Sequence, residues 1–563
     1  MGIKDYTLIA LFIGSLVIVS PLLGMYIARV FDGKKPLTLW GFSAIERAIY
    51  RICGIDPDEP MTWKEYAGSL LLFSGMGIVA VLLIQLIQNR LPLNPRHFGP
   101  VPFLTALNTA VSFVTNTDWQ AYAGETTMSY FTQMVALAVQ NFVSAATAMA
   151  VVAALARGIV QKNSASIGNF WSDLVKSVVY ILLPLCMILS ILLIAQGTVQ
   201  TMSPYITTAT LDGQAQVIPV GPVASQVAIK QLGTSGGGFF NANGAHPFEN
   251  PTPFTNFLEI VAIFLIPGAL AFAFGRLIGS PEHGKALFIA MLIIFCGGLV
   301  VALHAENAWN PVLQTHGSLE GKELRFGETG SALFAVATTA ASCGAVNCRH
   351  ESLASLTGCV AMFNIMMGEV IFGGVGSGLY SMVLYAIITV FIAGLMVGRS
   401  PEYIGKAIES SEVKMCVIGV LASPVVMLIL AAIACSVKPS IAALGASGIG
   451  GLNEVLYNFA SVSNNNGSAF GALNAAAPFY TLTTPVAMLA GRFVTLLAVL
   501  GIAGGLAAKN IHPVSSGTFP THGTLFLILL IGTIIIVGAL NFFPALSLGP
   551  ILQHFLTISG KGL

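Results

Sequence analysis

The sequence predicts an all-α polytopic membrane protein of about ten transmembrane helices, built on four pseudo-repeated membrane–pore–membrane units. Three observations predict it. Of the 563 residues, 55% are hydrophobic and only 9% charged, against about 25% charged in an ordinary soluble chain. No soluble fold of this length can hide so much apolar surface, so the solvent must be lipid. Apolar runs long enough to cross a bilayer recur along the whole chain, and between them a polar turn rich in Gly, Asn, Ser and Thr recurs four times.

A spanning helix needs about 20 apolar residues. Such runs lie near 7–30, 66–88, 128–156, 173–196, 254–278, 285–304, 355–397, 414–436, 478–508 and 523–548. The first is too long for a signal peptide and no small-residue cleavage pattern follows it, so it reads as a retained helix. The run over 355–397 is far too long for one straight helix and contains GGVGSG, with Gly373, Gly374, Gly376 and Gly378. A break is expected there, and broken backbone at membrane depth survives only where protein or a water-filled cavity satisfies it. Lys and Arg set the orientation. With the N-terminus outside, sixteen of the 25 fall on the cytoplasmic side and nine on the other, so both termini are expected outside the cytoplasm.

Composition also excludes. A net charge of +1 gives no reason to expect nucleic acid. Eight scattered cysteines form no CxxC, and nine histidines show no HExxH, so no transition-metal site is expected. GxxxxGK[ST] and DKTG are both missing from the sequence, so no bound nucleotide and no catalytic site is expected in this chain.

The four turns are SFVTNTDWQ (112–120), GTSGGGFFNAN (233–243), TTAASCGAVN (338–347) and SVSNNNGSAF (461–470). Each follows a short apolar helix-like run, and they recur at intervals of roughly 110–120 residues. Gly-Arg echoes them on the following helix as Gly275-Arg276, Gly398-Arg399 and Gly491-Arg492, with Ala156-Arg157 in the first unit. A short helix that enters the outer leaflet and returns as a polar strand is a pore loop, and four about an axis can surround one ion path. Carbonyl oxygens must then replace a cation's hydration shell. That demands backbone angles which glycine and asparagine adopt cheaply. A phosphate cradle is the competing use of GTSGGG, but no Lys-Ser or Lys-Thr follows it. Ordinary polar external loops are the plainer alternative, and a fourfold recurrence argues against them. Because the turns differ from one another, a short, high-affinity filter is expected.

These motifs, with HPFENPT (246–252), GEVIFGGVGSGLY (368–380), GRSPEYIGK (398–406) and SSGTFPTHGTLF (515–526), resemble the potassium-translocating A subunits of the Kdp potassium-importing P-type ATPases. The resemblance covers nearly the whole chain. It implies a fold of the potassium-transporter superfamily, with one extra helix at each end of the four units. The expected division is 1–60, repeats at 61–160, 161–284, 285–410 and 411–512, and a last helix at 513–563. It implies K+ as the transported ion, a bacterial inner-membrane location, and three partners: a P-type ATPase subunit, a single-span C subunit and a small single-helix subunit. Carried over by motif, the filter is Thr115, Asn116 and Thr117; Thr234, Ser235 and Gly236; Ser342, Cys343 and Gly344; and Asn465, Asn466 and Gly467. Cys343 is expected to offer its carbonyl, since a thiol is a poor ligand for a hard cation. Gln120 and Asp118 fall at the mouth. Asp118 either attracts cations or is a solvated turn residue, and Arg349 should repel potassium unless Glu351 or Asp118 pairs with it. A self-sufficient channel or ion-gradient-driven symporter is the alternative function.

Ionisable residues at mid-bilayer cost at least about 2.5–3.5 kcal/mol each. Glu369, Arg399 and Arg492 stand in such places. They form either a buried ion-pair network, with Arg399 snorkelling to the interface, or a plug that closes the path below the filter.

Overall fold

The computed structural model describes residues 2–33, 40–398, 401–513 and 519–561. Among the described residues, ten helices are long and apolar enough to cross a membrane: Ile3–Phe31, Trp63–Leu86, Thr132–Val160, Phe170–Ala195, Pro253–Leu277, Pro281–Asn307, Ser377–Met396, Ser410–Ser436, Pro478–Ala507 and Thr524–Ile558. Their starts follow local chemistry. Three begin on proline at the first turn (Pro253, Pro281, Pro478), where a missing N–H removes nothing. Thr62 caps Trp63–Leu86 by accepting from the Glu65 N–H, and Glu65 returns the bond.

Four of the short helices between spans lead into the polar turns: Phe103–Val114, Val223–Leu232, Gly327–Ala340 and Gly448–Ser463. Each sits inside one span–short helix–span unit, and the first and last spans flank the four units. Within a unit the two spans differ in burial. In Thr132–Val160, 83% of the most apolar stretch is buried, against 22% in Trp63–Leu86. The same ordering holds for Pro253–Leu277, Ser377–Met396 and Pro478–Ala507 against their partners. The second span of each unit therefore packs at the centre, and the first faces lipid.

The third unit departs from this pattern. Its second span is two helices, Ser355–Met366 and Ser377–Val397, joined by irregular chain. Phe372 sits in that joint with φ +64°. It is held by ring contacts to Phe264 at 4.7 Å and Phe288 at 5.6 Å. The first span packs on Pro253–Leu277, with Phe12 edge-on to Phe264 at 5.5 Å. Aromatic packing thus carries support from the first span to the joint.

Candidate functional site

Each short helix ends the same way. Asn116, Thr234, Ser342 and Asn465 take left-handed φ values of 61°, 47°, 48° and 52°. The next N–H then reaches the carbonyl five residues back: Thr117 to Ser112, Ser235 to Lys230, Cys343 to Thr338, and Asn466 to Ser461. This is the six-to-one closure of a helix C-terminus. It fixes the register of the four turns on one another. The equivalent triplets are Asn116-Thr117-Asp118, Thr234-Ser235-Gly236, Ser342-Cys343-Gly344 and Asn465-Asn466-Gly467. In the first turn this lies one residue beyond the sequence expectation. Thr115 belongs to the helix end, where its hydroxyl donates to the Val111 carbonyl at 2.9 Å.

The four turns close into a ring. The Asn116 amide donates to the Thr234 carbonyl (3.2 Å) and the Gly344 N–H to the Ser235 carbonyl (3.2 Å). The Ser342 hydroxyl donates to the Asn464 carbonyl (2.8 Å), and the Asn465 amide returns to the Thr117 hydroxyl (2.9 Å). Glycines let the strands touch. A Cβ on Gly236 would lie 2.4 Å from the Gly344 backbone, and one on Gly467 would lie 1.8 Å from the Thr117 carbonyl oxygen. The side chains of the ring are at most 5% exposed. Yet the carbonyls of Asn116, Thr117, Gly236, Ser342, Gly344, Asn465, Asn466 and Gly467 accept no hydrogen bond among the described residues. Buried carbonyls are normally paired, so this many unpaired ones in one ring are ready-made oxygen ligands. The Cys343 carbonyl is different, because it accepts from Thr338 and from the Asn466 amide at 3.3 Å. Its sulfur lies 3.8 Å from Gln231 Oε1.

Asp118 is 1% exposed, which removes the solvated-turn reading. It stands where the other three turns have glycine. With its amide turned so that the nitrogen faces the carboxylate, Asn141 donates to the Asp118 Oδ1 at 2.7 Å and to the Leu137 carbonyl at 3.1 Å, and Oδ2 has no partner among the described residues. Gln120 ties the first turn to the second, donating to the Gly238 carbonyl (3.2 Å) and accepting its N–H (3.0 Å). Arg349 pairs with Glu351 rather than with Asp118. Sequence reasoning missed Asn141 and Ser144. The Ser144 hydroxyl donates to Asn116 Oδ1 at 2.6 Å. The readable signal was the polar run QNFVSAAT (140–147) in an otherwise apolar helix.

The broken span meets the ring directly. Val375 donates its N–H to the Thr234 hydroxyl (2.8 Å), and Gly373 donates to the Ala340 carbonyl (3.0 Å). Gly374 donates to Glu369 Oε2 at 3.4 Å. Glu369 Oε1 faces Arg492 Nη1 at 3.8 Å, and Arg492 Nη2 donates to the Ser144 carbonyl at 3.4 Å. A cleft beside this pair is lined by Gly368, Glu369, Tyr380, Ser423, Asn465, Arg492 and Asn541. Gly376 and Gly378 complete the joint, where a Cβ on Gly378 would lie 1.5 Å from the Phe372 carbonyl. Arg399 lies outside the described residues.

Residues 10–555 match the family of potassium-transporting ATPase A subunits. The chain belongs to this A-subunit family. Relatives span it end to end. The potassium-transporting ATPase potassium-binding subunit of Methylibium petroleiphilum is 50% identical, covering 100% of both chains. That of Leptospira interrogans is 48% identical over 98% of this chain and 99% of its own. Among solved structures, the potassium transporter TrkH of Vibrio parahaemolyticus superposes with a TM-score of 0.52. That match covers 85% of this chain and 97% of TrkH at 13% identity, so what the two share is the fold. This A-subunit chain is therefore a multi-pass membrane protein with a TrkH-like helical architecture.

Proposed function

We propose that this chain binds and selects extracellular K+ at the four-turn ring and passes it to a partner P-type ATPase subunit for ATP-driven uptake. The observation that carries the reading is the closed ring of buried, unpaired carbonyls. Such oxygens replace the water of a hard monovalent cation. Four short helices end at the ring, so their negative C-terminal ends add to its attraction for a cation. The relatives' names as potassium-binding subunits support K+ as the ion. The ring triplets form the site, with Thr115 closing the helix behind the first of them, Gln120 at its rim and Asp118 inside it.

Below the ring, Glu369 and Arg492 obstruct a straight path to the cytoplasm. The cleft beside Glu369 offers the sideways route toward the ATPase partner. We place the units at 61–160, 161–284, 285–410 and 411–512, in a bacterial inner membrane with both termini outside. The remaining partners in this reading are a single-span C subunit and a small single-helix subunit. A self-sufficient channel or symporter is the second reading, favoured by the TrkH-like fold.

Rubidium uptake into proteoliposomes separates the two. Uptake only with partners and ATP, abolished by Gly236→Leu, is the expected result. Gradient-driven uptake by the chain alone would overturn the pump reading in favour of the channel.

A further inference from the structure

One polar residue stands six positions before the third residue of each ring triplet: Ser112, Lys230, Thr338 and Ser461. Three of them reach over the triplet to the carbonyl just past it. The Ser112 hydroxyl donates to the Trp119 carbonyl (2.9 Å) and the Lys230 ammonium to Gly237 (3.1 Å), and the Thr338 hydroxyl shares its one proton between the Ala345 carbonyl (2.6 Å) and the Cys343 carbonyl inside the triplet. In the fourth turn the bond runs the other way, and the Ser461 hydroxyl accepts from the Gly467 N–H at 3.0 Å. The donors sit on the short helices, so each captured carbonyl is drawn back toward its helix. It is taken out of the set of unpaired oxygens on the ring.

The second turn has the strongest version. Lys230 is fully buried and also donates to Asn243 Oδ1 (2.6 Å) and Glu249 Oε2 (2.5 Å). The Asn243 amide donates to the same Gly237 carbonyl, and Glu249 Oε1 accepts the Phe240 N–H at 3.1 Å. A buried ion pair is a costly way to make one hydrogen bond, because desolvation offsets much of its attraction. Hydroxyls suffice in the neighbouring turns. The difference lies in the strand being held: Gly236, Gly237 and Gly238 have no side chains to pack, and glycine has the most conformational freedom to lose. Charge-assisted bonds are roughly twice as strong as neutral ones, so the loosest strand carries the strongest tie.

We propose that Ser112, Lys230 and Thr338 are positioning residues that end the ion site at three residues per turn and thereby set its preference for K+ over Na+. The proposal rests on the potassium reading above. Its test uses the full chain in its transport complex, with K+ and Na+ titrated separately against transport rate. Thr338→Val keeps the shape and removes the donor, whereas Thr338→Ser keeps the donor. Thr338→Val, Ser112→Ala and the charge-balanced pair Lys230→Met with Glu249→Gln should each raise the half-saturating K+ at least tenfold. Each should also narrow the K+/Na+ preference at least tenfold, and Thr338→Ser should restore both. If Thr338→Val and Ser112→Ala lower only the maximal rate, with half-saturation and ion preference unchanged, the latch has no part in selection. A wild-type complex indifferent to K+ would overturn the potassium reading itself, and the role of the latch with it.

Discussion

Asp118 and Gly467 hold equivalent places in adjoining turns, and only one of them is a glycine. Gly467 has no alternative, since any Cβ would collide with the Thr117 carbonyl. Asp118 manages a left-handed φ of 53°, which short polar side chains tolerate. It thereby brings a carboxylate into a ring otherwise built of neutral groups. At an effective dielectric of about 20, a unit charge close to a cation is worth on the order of 1–4 kcal/mol. Asp118→Asn should therefore weaken K+ binding by about tenfold or more, read from the K+ dependence of transport. The same change removes a buried charge, so the thermal midpoint should stay level or rise. Unchanged K+ affinity would mean that the carboxylate does not face the ion. This residue also hides the register of the first turn from the sequence. Three turns advertise their register by a glycine, and the first does not. The spacing from the preceding polar residue was the legible alternative: Ser112 to Asp118 matches Lys230 to Gly236, Thr338 to Gly344 and Ser461 to Gly467.

Among the elements, the broken span was legible from length alone, because no straight helix needs the residues from 355 to 397. Its starting point was not. The helix ends at Met366, upstream of the glycine cluster, and Gly368 has φ +77°. The joint carries Glu369 to within 3.8 Å of Arg492, which is 3% exposed. Removing one member of such a pair leaves a buried charge uncompensated, typically at a cost of about 3–5 kcal/mol. Glu369→Gln and Arg492→Gln should each reduce the amount of folded protein recovered. The double variant leaves no net charge behind and should fold better than either single one. If the pair obstructs the path below the ring, the double variant should also leak rubidium in the absence of ATP. A tight double variant would leave the pair a structural tie and nothing more.

At the scale of the whole molecule, the spans are legible because lipid demands about 20 apolar residues in each. Which spans lie at the centre is not legible. Lipid tails are as apolar as leucine, so lipid-facing and core-facing helices carry similar sequences. Orientation rests on the excess of Lys and Arg on one side, and part of that excess has a local cause. Lys406 donates to the carbonyls of Gln161, Leu506 (2.8 Å) and Lys509 (2.5 Å), at the C-terminal ends of two central helices. Helix C-termini attract cations whichever side they occupy. Sidedness therefore needs its own measurement. Cys53 is exposed after the first span, and the hairpin of Ile206–Ala209 and Ala215–Ile218 follows three spans later. An odd number of crossings puts the two on opposite faces. In a background with Cys435→Ser, one variant keeps Cys53 and another combines Cys53→Ser with Asp212→Cys. A membrane-impermeant maleimide should label intact cells only in the second variant, and Cys53 only after permeabilisation. The reverse pattern would put the hairpin in the cytoplasm and the ring's outer rim with it. The chain would then face an ion supply that needs no capture, and the import reading would fail on topology.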